Sequence, residues 1–283
     1  MNEKYKKAVF LCDLDGTLLN GNAELPAEAV QKLCALAEAG VRVSFATART
    51  IRSVKYILAG IPFTLPVSLM NGVLLRDMNE GRYVSVKSLE REKVALIRAA
   101  YDVGEVSPFV YFLDESDELL ACYEEITCDG SERFMRERMQ KYSKPFTCCE
   151  KGKYPNGTPI YFSAIDYKDK ILKAEKAIAK IEGIGHTCYR STYDEDMWYL
   201  EVFSADASKK SAAEELRCLS RADRIVCFGD NRNDIPMFEA SDEGYAVEGA
   251  PDDLLRIADE TVPCADKCGA IDKIIALSGI RIF

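Results

Sequence analysis

The chain has 283 residues, 48% hydrophobic and 29% charged, with a formal net charge of −9. That balance is ordinary for a globular protein and argues against disordered, collagen-like and coiled-coil classes, while the length calls for one large domain or a core carrying an inserted second one. The acidic surplus leaves no electrostatic footprint for nucleic acid, so any anion must be met by a local basic pocket.

The charged opening, Met1 to Lys7, runs straight into a strand-length apolar segment with no signal-type apolar region, and the expected compartment is the cytoplasm. No uninterrupted apolar segment approaches the roughly 20 residues of a spanning helix, so no membrane partner is expected. Ala8-Val9-Phe10-Leu11-Cys12 reads as a buried strand, followed at once by Asp13-Leu14-Asp15-Gly16-Thr17-Leu18. Two carboxylates at i and i+2 thus emerge at a strand end, where parallel α/β sheets bind ligands, and Gly16 lets the chain turn tightly enough to hold both over one spot. Asp and Gly are also ordinary turn residues, so this run alone is compatible with a solvated loop.

Pro26 opens a helical pattern with Ala29, Val30, Leu33, Leu36 and Ala37 on one face, and Gly40 follows at the position after its C-cap. Val41 to Ala46 reads as the next strand, followed by Thr47-Ala48-Arg49 and a helix near 50–59. This βαβα rhythm implies a parallel sheet. Pro66 to Met70 leads to Asn71-Gly72, and the pieces around Asn79 to Gly81 resemble a hairpin. From about residue 85 to 192, strand-like runs such as Phe109 to Phe112 and Pro159 to Ser163 alternate with helical stretches at 129–142 and 167–181, which predicts an inserted α+β domain. The βα rhythm resumes with Tyr199 to Phe203, a helix at 209–219, a strand at 225–228 and a helix at 235–240, then further strands at 244–247 and 260–262. The prediction is an α/β core from 1–84 and 193–283, with 85–192 inserted.

A second acidic turn, Gly229-Asp230-Asn231-Arg232-Asn233-Asp234, again stands just behind an apolar strand. Two such strand ends suggest one shared cation site. Asp13 is the candidate nucleophile, since a carboxylate can form an aspartyl-phosphate and split a difficult transfer into two steps, and Asp15 is the candidate general acid and base. Mg²⁺ suits the surplus of negative charge, because it takes a few carboxylate or carbonyl oxygens and keeps water and phosphate as its other ligands. Asp13, the Asp15 carbonyl and Asp230 are the candidate metal ligands. Thr47 and Lys209 are candidate phosphate ligands, the first through its hydroxyl, the second at a helix N-terminus that favours anions. Helix capping and a solvated helix start are the alternatives for these two. Asn233 could contact phosphate or metal-bound water, and Asp234 could orient Lys209 or the metal shell, with helix capping as the alternative for both. Arg49 reads as either a ligand or a surface charge at a helix start.

Asp13-Leu14-Asp15-Gly16-Thr17, Thr47, Ser208-Lys209 and Gly229-Asp230-x-x-Asn233-Asp234 resemble, in order, the four motifs of haloacid dehalogenase-superfamily phosphatases. The chain is most similar to the Cof-type subfamily, whose cap is inserted after the third core strand, and Asn71-Gly72 fits it. The resemblance spans essentially the whole chain. It implies a Rossmann-like core, Mg²⁺ dependence and hydrolysis of small phosphate monoesters, with sugar phosphates the foremost substrate class and pyridoxal phosphate or flavin mononucleotide as alternatives. Spacing independently favours this cap position, because the roughly thirty residues between Asp15 and Thr47 hold only one βαβ crossover. The chain departs from the family pattern at Ala48 and Lys210, where glycines are usual, at Glu248-Gly249-Ala250, and between Cys264 and Gly269. Other functional classes remain: a sensor that binds a phosphorylated metabolite without turning it over, or a phosphotransferase. Either would also have a small phosphorylated metabolite as its partner.

The eleven cysteines include no paired C-x-x-C spacing, and several sit inside apolar strands or helices; reduced thiols are expected. His186, the only histidine, reads as part of a turn in the insertion. Asn156-Gly157-Thr158 reads as a turn, and Tyr193 to Trp198 as a solvated hinge. No G-x-x-x-x-G-K-[ST] loop is present, which disfavours a P-loop hydrolase.

Overall fold

The computed structural model describes residues 1–191 and 194–282 and divides the chain into two compact units, Met1–Ser85 with Ser208–Phe283, and Val86–Ala207. The first unit holds β1 (Ala8–Cys12), α1 (Ala27–Glu38), β2 (Arg42–Phe45), α2 (Ile51–Ile57), β3 (Val67–Leu69), β4 (Leu74–Arg76) and β5 (Tyr83–Val86), the last ending one residue beyond it. The second holds α3 (Arg91–Val103), β6 (Phe109–Leu113), β7 (Leu119–Tyr123), α4 (Asp129–Tyr142), β8 (Thr147–Cys148), β9 (Thr158–Tyr167), α5 (Lys168–Ile178), β10 (Ile184–Arg190) and β11 (Met197–Ser204). The chain then returns to the first unit for α6 (Lys209–Ser220), β12 (Arg224–Gly229), α7 (Ile235–Ala240), β13 (Glu243–Val247), α8 (Asp252–Leu255), β14 (Glu260–Val262) and α9 (Gly269–Ser278).

The core sheet is parallel throughout, in the order β14-β13-β12-β1-β2. A parallel bridge between Ala46 and Ser68 carries the pairing on toward β3. All five residues of β1 are buried, as expected for a central strand covered on both faces. Val9 and Leu11 share one face with Ile225 and Cys227 and pack on Ala213 and Leu216 of α6 and on Met237 and Phe238 of α7. Strand order runs outward from β1 to β2 on one side and from β12 to β14 on the other, so the reversal falls between β1 and β12. The carboxyl ends of those two strands therefore flank the crevice that such sheets use for ligands.

The second unit is built on a six-stranded sheet, β10-β11-β9-β6-β7-β8, antiparallel except for its β7–β8 edge. Val110, Phe112, Phe162, Ala164, Leu200 and Val202 alternate onto the face covered by α3 and α5. On the opposite face, Phe134 of α4 stacks on Phe109 with 5.1 Å between ring centroids.

Three expectations need correction. The 199–203 strand does not resume the parallel core: as β11 it pairs antiparallel with β9 and β10, and the chain leaves the inserted unit only at Ala207. Pairing partners decide this, and a strand's own composition does not name them. The expected boundary between 192 and 193 falls outside the described residues, as does the Tyr193 end of the expected hinge; the rest, Asp194 to Trp198, forms a turn and the start of β11 within the inserted unit. His186 lies in β10, with Nε2 3.9 Å from Glu175, and not in a turn. In addition, α3 was not anticipated, although Ile97, Ala100 and Tyr101 place a buried stripe along it.

All eleven cysteines are free. Among the described residues, no helix is long and apolar enough to cross a membrane.

Candidate active site

Asp13 follows β1, where its N–H continues the sheet by donating to the Phe228 carbonyl at 2.9 Å. The strand's pairing therefore fixes where this carboxylate points. Asp13 is 4% exposed. Gly16 has a φ of +80°, and a Cβ there would lie 2.2 Å from Asp230 Oδ2, so glycine is required both by the left-handed backbone and by the close approach of the second acidic loop. The Thr17 hydroxyl donates to Asp230 Oδ1 at 2.9 Å, joining the two loops directly.

Lys209 is the first residue of α6. Ser208 caps this helix, accepting from the Ser211 N–H at 2.9 Å, and Ser211 returns the bond to the Ser208 backbone. The Lys209 side chain is fully buried, and its ammonium donates to Asp13 Oδ1 at 2.6 Å and to Asp234 Oδ1 at 2.5 Å. The other Asp234 oxygen accepts the backbone N–H groups of Asp230 and Asn231 at 2.9 and 3.0 Å. Asp234 thus fastens the acidic loop to the lysine.

Burial pushes the Asp13 carboxyl up, the adjacent Lys209 charge pulls it down, and Asp234 and Asp15 push it up again, leaving it raised to about 7. Asp230 is raised well above the usual carboxylate range, first by burial, then by Asp13 and Asp234. For Lys209, burial favours the neutral amine, but the charges of and hydrogen bonds to Asp13 and Asp234 outweigh it and the net shift is upward. Three carboxylates around one ammonium leave a local surplus of negative charge, relieved by protons or by a cation.

The donor set fits such a cation. Asp13, Asp230 and Asp234 each place an oxygen within 4.8 Å of the others, and no other metal-capable group of three occurs among the described residues. All three ligands are oxygens, the set preferred by hard ions such as Mg²⁺. Because both Asp234 oxygens are already engaged, Asp13 and Asp230 are the pair suited to hold the ion. The Asp15 carboxylate does not join them: both its oxygens are held by Arg49, through Nε at 2.8 Å and Nη2 at 2.5 Å.

Thr47 is fully buried at the end of β2 and is not a helix cap, since Thr50 occupies the N-cap of α2; its Oγ1 accepts the Arg49 N–H at 3.1 Å. Asn233 is partly exposed on a 3₁₀ turn, and its side chain makes no hydrogen bond among the described residues. The structure thus gathers Asp13, Lys209, Asp230 and Asp234, sets Asp15 against Arg49, and leaves Asn233 outside the network. The departures at Ala48 and Lys210 are without strain, because neither has a positive φ.

Sequence reasoning overlooked Thr17 and left Arg49 as an open alternative. It noted Asn71-Gly72 but assigned no backbone role to the turn at Met70, Asn71 and Gly72, whose φ values of 52°, 56° and 90° are all left-handed. Such backbone is found where surrounding structure imposes it. Here a Cβ on Gly72 would meet the Ser208 carbonyl oxygen at 2.1 Å, so the turn packs directly against the cap of α6. The adjacent Asn-Gly pair was the available signal.

Comparison with known proteins identifies the family of the chain. Residues 10–275 match the model of the haloacid dehalogenase-like hydrolases. The chain is 27% identical over 267 residues to the putative phosphatase YxeH of Bacillus subtilis (strain 168), covering 87% of this chain and 89% of that one. It is 22% identical over 275 residues to the 5-amino-6-(5-phospho-D-ribitylamino)uracil phosphatase YitU of the same organism, covering 93% and 95%. The solved structure of the subclass IIB sugar phosphatase BT4131 superposes with a TM-score of 0.76 at 18% identity, covering 97% of this chain and all (100%) of that one, a likeness of fold. The chain belongs to the haloacid dehalogenase-like hydrolase family and is an enzyme of its Cof-type branch.

Proposed function

We propose that the protein is a Mg²⁺-dependent phosphohydrolase that cleaves small phosphate monoesters, sugar phosphates foremost, through an aspartyl-phosphate on Asp13. The observation that carries this reading is the buried Asp13 carboxylate at the end of β1, 2.6 Å from the Lys209 ammonium and within reach of a metal shared with Asp230. The names of YxeH, YitU and BT4131, all phosphatases and one a sugar phosphatase, support the reaction and the substrate class.

In the first half-reaction an Asp13 oxygen attacks phosphorus, the ester P–O bond breaks, and Asp15 gives its proton to the departing alkoxide oxygen. In the second, the Asp15 carboxylate takes a proton from water as that water attacks the phosphoryl group, releasing phosphate and restoring Asp13. Lys209 and the Thr47 hydroxyl supply donors to the equatorial oxygens, where charge is spread in the transition state. Asp234 holds Lys209 in place. Asp13, the Asp15 carbonyl and Asp230 would hold Mg²⁺, which supplies charge neutralisation between nucleophile and phosphate when bound.

The test is phosphate release from a panel of sugar phosphates, cofactor phosphates and an aryl phosphate, with Mg²⁺ and with chelator. Metal-dependent release that disappears in Asp13→Asn is expected. Full activity of that variant would overturn the assignment of the nucleophile, and transfer to an added acceptor in place of free phosphate would identify a phosphotransferase.

A further inference from the structure

Both oxygens of the carboxylate assigned to proton transfer are held by one guanidinium, the Arg49 Nε donating to Oδ2 at 2.8 Å and Nη2 to Oδ1 at 2.5 Å. The Arg49 side chain is only 9% exposed, and the Asp15 side chain 25%. The arginine is itself fixed at both backbone polar groups: its N–H donates to Thr47 Oγ1 at 3.1 Å, and its carbonyl accepts the Met70 N–H at 3.2 Å. A planar fork that grips two oxygens sets the plane of the carboxylate as well as its position, which a lysine ammonium cannot do.

A carboxyl that protonates a leaving oxygen must bring one of its own oxygens within about 2.6–3.2 Å of it. While the fork holds both, the guanidinium and not the leaving group sets where they point. Resting on the phosphatase reading above, we infer that Arg49 is the positioning residue of Asp15: it grips the carboxylate formed once the proton has gone to the leaving alcohol, releases one oxygen to take the proton from the attacking water and later carry it to the next leaving group, and keeps the other oxygen as the pivot. No bond is made or broken by Arg49. The proton passes only between Asp15 and the alcohol or water, while the guanidinium exchanges a two-point grip for a one-point grip and back. The role needs the fork, so retention of positive charge alone does not fulfil it.

The experiment compares Arg49→Lys, Arg49→Gln and Arg49→Ala with the wild-type chain in Mg²⁺, measuring kcat and KM for an alkyl phosphate, the inhibition constant of inorganic phosphate, the thermal midpoint and, for Arg49→Ala, kcat with added guanidinium ion. If Arg49 positions Asp15, kcat falls on the order of 10²-fold in both the lysine and glutamine variants, the scale of a general acid–base contribution. Lysine then does little better than glutamine, the phosphate inhibition constant stays within about twofold, and guanidinium ion added to Arg49→Ala restores part of kcat. A kcat within about threefold of wild type in both the lysine and glutamine variants overturns the inference. So does a lysine variant that recovers activity while glutamine weakens phosphate inhibition, because that pattern belongs to a direct phosphate contact. A loss that follows the thermal midpoint and is not rescued by guanidinium also overturns it. If wild type itself releases no phosphate, the phosphatase reading fails and takes this inference with it; an active wild type with unaffected Arg49 variants sinks this inference alone.

Discussion

Replacing Lys209 by methionine keeps an apolar stem of similar length and removes the one ammonium that lies between two buried carboxylates, 2.6 Å from Asp13 and 2.5 Å from Asp234. Breaking a buried ion pair on one side costs about 3–5 kcal/mol, because the remaining charge stays desolvated and uncompensated. The cost depends on pH, and Asp13 sets its sign. In the wild-type chain the Asp13 carboxyl is raised from 3.8 to about 7 by burial, with Lys209 opposing that shift. A carboxyl raised on folding binds its proton more tightly in the folded state, so stability declines as pH rises from about 4 to about 7 and then levels off. Without Lys209 the opposing charge is gone, Asp13 holds its proton to higher pH, and stability continues to fall past pH 7, by about 1.4 kcal/mol per pH step of one until the carboxyl ionises. The lysine's own ionisation adds no slope here, because its pKa is raised above an already high reference and it stays charged throughout. Urea unfolding in chelator at pH 6 and pH 8 should therefore show a larger penalty at pH 8, about 3–5 kcal/mol, and a smaller one at pH 6. Phosphate release should fall about 10²–10³-fold, the loss typical of removing one transition-state donor. Equal penalties at the two pH values would refute the electrostatic reasoning, and unaltered turnover would remove Lys209 from the site.

Gly16→Ala places a methyl 2.2 Å from Asp230 Oδ2 in a residue with φ +80°; left-handed strain of about 1–2 kcal/mol is expected, with Mg²⁺ affinity lowered about 10–100-fold as Asp230 is displaced. Calorimetric titration with Mg²⁺ checks this, and unchanged affinity would mean that Asp230 is not a ligand. Because the Asp13 and Asp230 carboxyls are both raised by burial and by neighbouring acids, protons and metal compete for the same oxygens. Mg²⁺ binding should weaken below about pH 7 and release protons there; titrations in two buffers of different ionisation enthalpy that show no proton release at pH 6 would contradict it.

Local sequence determined a good deal of this molecule. The apolar run of β1 reads as a strand buried on both faces, Gly40 follows the end of α1 with a φ of +77°, and the acids emerge where β1 and β12 stop. Residues at consecutive strand ends of a parallel sheet share one edge, so the placement of Asp13, Thr47 and Asp230 together is legible in the sequence. The burial of Lys209 could not be read in this way, since a lysine opening a helix is ordinarily solvated; it is buried because Asp13 and Asp234 converge on it from β1 and from the turn after β12. The partner of Arg49 was equally hidden. Its spacing is that of a surface charge at a helix start, and only the adjacency of β1 and β2 brings Asp15 within reach of two of the guanidinium nitrogens, Nε and Nη2. Tertiary structure also decided that β11 belongs to the inserted sheet, because alternation tells which face a residue takes while the neighbouring strand and its direction depend on segments far away in the chain. Helical and strand periodicities are local properties of the backbone and are written in the sequence; ion pairing and strand pairing are long-range, and only the folded chain specifies them.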